Sequence, residues 1–232
     1  MQQVATLGTG TMESVQQRFV TKVYGWMCAA LLTTALVAYY VVTDPNVLRA
    51  VLGSQPIFFG LIIAELALVI ALSWAINRLS VTMATAMFFL YAALTGATLS
   101  VVFVVYTHES LTTAFLVTAG TFGAMSFYGL VTRRDLTSLG NLLFMGLIGI
   151  IIASVVNMFF ASTLLYTITS YVGVLVFVGL TAYDTQKIKQ MAASLEEGGD
   201  TARKGAIMGA LALYLDFINL FLMLLRIFGR RR

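Results

Sequence analysis

The stretch Ala206-Ile-Met-Gly-Ala-Leu-Ala-Leu-Tyr-Leu-Asp216-Phe-Ile-Asn219-Leu-Phe-Leu-Met-Leu-Leu-Arg226-Ile-Phe228 decides the fold class. It carries only two ionisable residues, and about 20 mostly apolar residues suffice to cross the hydrocarbon core of a bilayer as a helix. Six further stretches meet the same criterion, approximately 23–43, 56–77, 81–106, 111–130, 140–160 and 166–186. Over the whole chain 59% of residues are hydrophobic and 10% charged, where a soluble domain carries about 25% charged residues. So few charges cannot cover a water-facing surface, so most of this surface faces lipid. The sequence predicts an all-α polytopic membrane protein with seven spanning helices in a single domain, 23–232, after a mobile N-terminal tail, 1–22. No small-residue cleavage site follows the first apolar run, so no secretory signal peptide is expected.

The net charge of +4 comes from short loops and from Arg230 to Arg232. Loop lysine and arginine fix orientation in a membrane protein, so the basic balance does not call for a nucleic-acid partner. Arg18, Lys22, Arg78, Arg133, Arg134, Lys187, Lys189, Arg203 and Lys204 fall on one side, and Arg49 and the arginine tail on the other. Basic loops favour the cytoplasm, which predicts a cytoplasmic N-terminus. A seventh full span then leaves the tail outside, against the charge bias. The lone cysteine, Cys28, excludes an intramolecular disulfide.

An ionisable group at membrane depth costs several kcal/mol unless paired or hydrated, so each marks a candidate site. Four qualify: Glu65 in the second segment, Asp184 near the inner end of the sixth, and Asp216 and Arg226 in the seventh. Gly205, Gly209, Ala212, Asp216, Asn219, Met223 and Arg226 recur at alternating steps of four and three residues, which places them on one stripe of one helix. The other faces of that helix are strongly apolar, which predicts a position near the bundle centre with the stripe facing a polar path. By depth, Glu65 pairs with Arg226, Arg78 with Asp184, and Asp184 comes within reach of Asp216 if the last two helices are neighbours. A static bundle with structural ion pairs is the plain alternative, and Asp184 alone could be a solvated acid at a helix end. Asp216 could not, because apolar residues flank it for several turns.

Two carboxylates held close in a low dielectric cannot both ionise cheaply, so such a pair shares a proton. Protonated, it draws two helices together. Deprotonated, it repels and offers oxygen ligands to a hard cation. Calcium takes six to eight oxygens, and Asp184, Asp216, Glu65 and the Asn219 amide supply only part of that shell. A site here is expected to be weak and wet, with Asp184 and Asp216 as its carboxylates. No cofactor is expected beyond calcium as a transported or weakly bound ion.

Thr181-Ala-Tyr-Asp184-Thr-Gln186-Lys-Ile resembles the helix-6 aspartate motif of the Bax inhibitor-1 family, the transmembrane Bax inhibitor motif proteins. Leu213-Tyr-Leu-Asp216-Phe-Ile-Asn219-Leu-Phe resembles the family's second aspartate motif in its last helix. The stretch from Leu94-Thr-Gly96 through Val131-Thr-Arg133-Arg134-Asp135-Leu to Asn157-Met-Phe-Phe160 is similar to its middle helices. The likeness spans nearly the whole chain beyond the tail. It implies seven helices with the last surrounded by the other six, and a pH-sensitive calcium leak whose sensor pair is Asp184 and Asp216. Bacterial relatives also carry a helix-2 glutamate and a late helix-7 arginine, matching Glu65 and Arg226. An arginine latch at the inner end of helix 2, found in some of them, would fall at Ile76. The nearest arginine here, Arg78, is two residues on, about 200° around a helix, so the latch is altered or absent. The short loops fit a member from a bacterial inner membrane.

Other functions carry less. Tyr183-Asp184 matches one half of an intramembrane aspartyl protease signature, but Leu213-Tyr214-Leu215 before Asp216 lacks the glycines of the other half. His108 stands beside Glu109 with no metal-binding cluster, and Gly8-Thr-Gly10 lacks the preceding strand of a phosphate loop. The sequence therefore predicts no enzyme. A proton-coupled carrier for a small solute suits buried carboxylates, although Pro45 and Pro56 both lie outside the spans, against broken helices. A regulator that binds other membrane proteins without transport is the third reading.

Overall fold

Among the described residues of the computed structural model, eight α-helices follow one another: α1 (Gln2–Thr43), α2 (Pro45–Leu52), α3 (Gln55–Ala75), α4 (Val81–Val105), α5 (His108–Val131), α6 (Thr137–Phe160), α7 (Thr163–Ser194) and α8 (Asp200–Phe228). The structure describes the backbone of residues 2–194 and 199–232, and side chains from Val15 onward except that of Ser194. All but α2 are long and apolar enough to cross a membrane, seven helices among the described residues. The sole β feature among the described residues is a bridge between Tyr106 and Arg231.

The helix bounds differ from the apolar segments in an instructive way. The first helix is already formed well before Val23, and Gln16 Nε2 donates to the Lys189 carbonyl at 2.8 Å. The side chains of residues 1–14 lie outside the described residues, as do residues 195–198 of the polar 187–205 connection. At its far end α7 reaches Ser194, beyond the predicted end at 186. Hydropathy marks where a helix is apolar, whereas these ends continue as amphipathic helix, with Ile188 and Ala192 buried and Lys187 and Gln190 exposed. The short α2 has a local cause. Asp44 caps it, accepting from the Asn46 and Val47 amides at 2.8 and 3.3 Å, and Pro45 occupies the first turn.

The chain forms two compact units, Met1–Val105 with Lys189–Tyr214, and Tyr106–Ile188 with Leu215–Arg232. In the first, α1 and α4 approach closely at Gly96, where a Cβ would stand 2.6 Å from the Thr34 carbonyl oxygen. Thr34 Oγ1 donates to the Ala92 carbonyl at 2.8 Å and shares a 2.7 Å hydrogen bond with the Tyr214 hydroxyl. The rings of Phe88 and Tyr91 meet Tyr214 edge-on. In the second unit, α5 meets α8 through Phe115 and Phe122, whose rings lie 5.8 and 5.4 Å from that of Phe217. It meets α7 at Gly129, which sits against the Ala182 carbonyl and Thr185. The tail folds back onto the start of α5: the Thr107 amide donates to the Arg230 carbonyl at 3.2 Å, and the Arg230 amide to Ser110 Oγ at 2.9 Å.

Burial along the spans is uneven. Of the apolar window of α8, 61% is buried, against 6% in α3 and in α6. Leu213, Tyr214 and Leu220, on different sides of α8, are all fully buried.

Candidate functional site

Asp184 on α7 and Asp216 on α8 belong to the same unit, and their carboxyl groups interact directly. Asp216 is 4% exposed, and its Oδ2 has no hydrogen-bond partner among the described residues. Asp184 is half-buried, with Lys187 acting on it from one turn further along α7. A buried polar atom without a partner normally signals a proton, a water or an ion bound there, so this donor set fits a proton or a hard cation. One other buried side-chain oxygen in the described structure shares that condition, Ser126 Oγ on α5. It lies one helical turn from Phe122, which packs on Phe217, and nearly one turn from Gly129 at the α7 contact. Nothing in the sequence singles it out. Serine in a membrane helix usually bonds back to its own preceding turn, and only the fold shows that Ser126 does not.

The remaining ionisable candidates have local partners. Glu65 on α3 accepts hydrogen bonds on α4, from Thr98 Oγ1 at 2.8 Å and Thr95 Oγ1 at 3.4 Å. Arg226 lies with its guanidinium carbon 5.3 Å from the centroid of the Tyr166 ring, and its Nη1 reaches the Met223 sulfur at 3.9 Å. Glu65 and Arg226 belong to different units, as do Arg78 and Asp184. Arg78 is exposed in the turn after α3, 5.9 Å over the Trp74 ring, with its amide donating to the Ala75 carbonyl at 2.8 Å. Asn219 Nδ2 donates to the Leu215 carbonyl at 2.8 Å, which leaves its amide oxygen available. Along α8 the half-buried positions Ala212, Leu215, Asn219, Leu222 and Arg226 follow one line at helical spacing. Asp216 stands beside that line and is more deeply buried.

Beyond Asp184, Gln186 clamps the α5–α6 connection. Its Oε1 accepts from the Leu136 amide at 2.9 Å, and its Nε2 donates to the Arg134 carbonyl at 2.8 Å. Gln186 stands within the Asp184 motif of the sequence, but its partners on the α5–α6 connection are visible only in the fold.

Residues 16–232 match the family model described as inhibitor of apoptosis-promoting Bax1. The chain belongs to the Bax inhibitor-1 family. It is similar to inner membrane protein YbhL of Escherichia coli K12, with 55% identity over 93% of each chain. It is also similar to a protein of Borreliella burgdorferi, at 46% identity over 94% of each chain, and to a membrane protein of Streptococcus pyogenes serotype M3, at 38% identity over 92% of this chain and 93% of the relative. In this Bax inhibitor-1 family member the two aspartate motifs named from the sequence thus bring their carboxyls together. No group of three or more His, Cys, Asp or Glu side chains able to hold a metal occurs among the described residues.

Proposed function

We propose that this multi-pass Bax inhibitor-1 family protein is a pH-sensitive calcium leak, with Asp184 and Asp216 as its shared-proton sensor. The observation that carries the reading is the direct meeting of two carboxyls within spanning helices, one of them almost fully buried and with an oxygen that bonds to no described group. In a low dielectric, two adjacent negative charges repel strongly. With one proton between them, the carboxyls hydrogen-bond and hold α7 to α8. When that proton leaves, repulsion loosens the contact and up to four carboxylate oxygens face the same point. Calcium, here the cargo, needs six to eight oxygens, so water completes its shell. Two carboxylates give weak binding that suits passage. Ser126 Oγ and the Asn219 amide oxygen are the neutral oxygens this reading adds to the path.

A central α8 is part of the reading, supported by its burial. The bacterial inner membrane is the proposed location, supported by the name carried by the Escherichia coli relative, and the basic loops favour a cytoplasmic N-terminus. A leak requires no covalent chemistry, so the reading is not an enzymatic one.

The test is calcium flux into liposomes holding the purified protein, from about pH 5 to about pH 8, beside the Asp184→Asn/Asp216→Asn variant, in which neither side chain can ionise. The wild type should show pH-dependent flux, and the variant a lower flux with its pH dependence flattened. Wild-type flux equal to that of empty liposomes would sink the leak and favour a proton-coupled carrier or a regulator without transport.

A further inference from the structure

Where the tail folds back on the start of α5, the second unit holds an open cavity of about 460 Å3. Two guanidinium groups border it, those of Arg226 and Arg231, together with the hydroxyls of Tyr106, Tyr166, Ser162 and Thr163. None of the described residues that line it is acidic. The arginines are held in place by aromatic partners. Arg231 sits across a β bridge from Tyr106 and lines the cavity beside Tyr106 and Tyr166, and Arg226 stacks over the Tyr166 ring. Stacking on a ring leaves the in-plane N–H groups of a guanidinium open to an oxyanion. Arg226 has five such donors, and within its unit its polar contact is a weakly accepting thioether 3.9 Å away. The N-terminus of α7 opens at Thr163 on the same cavity, adding the positive end of a 32-residue helix.

The surroundings indicate what such an anion is attached to. The cavity lies where α6 and α8 end and α7 begins, at the level where spanning helices leave the hydrocarbon. Beside it stand Phe159, Phe160 and Leu164, 82%, 76% and 70% exposed, an apolar surface suited to acyl chains. Cationic forks above a lipid-facing apolar rim match an anionic lipid in both of its parts. Two arginines that present planar forks match phosphate better than a point cation would.

We propose that this cavity binds a phosphate group, carried by the headgroup of an anionic lipid or supplied as free phosphate. Arg231 and Arg226 hold the phosphate oxygens and the tyrosines fix the two forks. The site is separate from the aspartate pair and does not depend on the leak reading.

Native mass spectrometry of the full chain from nanodiscs of phosphatidylglycerol mixed with phosphatidylcholine tests the lipid arm, and calorimetry with inorganic phosphate in neutral detergent tests the free-anion arm. One phosphatidylglycerol should be retained per chain, and Arg231→Gln should weaken its retention about tenfold, the loss of one charge-assisted contact. Arg226→Gln should act in the same direction. Because Arg226 belongs to a spanning helix, Arg231→Gln on the exposed tail is the deciding variant, and Arg232→Gln should change nothing. Phosphate binding that Arg231→Gln abolishes would identify a free-anion site, and lipid retention without phosphate binding would identify a headgroup site. Neither ligand bound, or an equal loss in Arg232→Gln, would overturn the proposal, the latter by showing diffuse attraction to the tail.

Discussion

At Asp135, between α5 and α6, two hydrogen bonds converge on one carboxylate oxygen, from Thr137 Oγ1 at 2.6 Å and from the Thr137 amide at 2.9 Å. Both favour the charged form, the hydroxyl most, and hold this carboxyl below its ordinary value of 3.8. A folded-state pKa below the unfolded one stabilises the loop above the unfolded value, and that contribution disappears as pH falls through the folded one. Amide exchange at Thr137, corrected for its intrinsic pH dependence, should therefore lose protection on acidification below about 3.8. Asp135→Asn should be less protected throughout, with no step, and a wild-type profile without a step would refute the assignment. Single residues also mark how far sequence reasoning reaches. Asp184 and Asp216 were legible because an ionisable group in an apolar span stands out against every neighbour. The hydroxyls that satisfy Glu65, and the unpartnered Ser126, were not legible. Threonine and serine are ordinary in such helices, and their partners are chosen by which helices come to lie side by side.

Helices bring those residues to their places, and small residues set how closely the helices approach. Without a hydrophobic force between helices in lipid, close packing across small residues is a main source of their association. Gly129 is such a point: a Cβ there would strike the Ala182 carbonyl oxygen and come within 3.0 Å of the Thr185 Cβ. Backbone cannot rotate away as a flexible side chain can, so Gly129→Ala should cost about 1–3 kcal/mol by overpacking. The strain falls on the turn of α7 that carries Asp184. Gly123→Ala on the same helix has open space around its Cβ and controls for the change of residue type. Thermal unfolding in detergent should show a lower midpoint for Gly129→Ala than for Gly123→Ala, and equal midpoints would remove Gly129 from the α5–α7 contact. The glycine itself was visible in the sequence, but Gly120, Gly123 and Gly129 look alike there, and only the contact distinguishes them. The existence of all seven spans was legible because each needs only length and apolarity. Their ends were not, since α1 and α7 continue as helix after their apolar windows stop.

Over the whole molecule, the outward surface is apolar where a soluble protein would be charged. Ile63 and Ile70 on α3, and Met145, Ile151 and Ile152 on α6, are all more than half exposed. Exposed apolar area on this scale is the surface of a protein whose solvent is lipid, since water-soluble monomers expose far smaller patches. Trp74, 82% exposed at the end of α3, has the amphipathic ring that gathers at the membrane–water boundary. Placing charge on this surface separates a lipid-facing side from one that faces water or a polar partner. Ile151, 54% exposed near the middle of α6, would sit deep in the hydrocarbon, whereas Phe159, 82% exposed, lies one residue from the helix end. An arginine at Phe159 can extend its long stem to the interface. One at Ile151 cannot do so without dragging water inward. Ile151→Arg should therefore cost about 2.5–3.5 kcal/mol of membrane insertion, read as a large drop in membrane-integrated yield, and Phe159→Arg should stay near the wild-type yield. In water both changes would be nearly neutral, because each side chain is exposed. Equal, undiminished yields for the two variants would mean that this face of α6 meets something other than lipid.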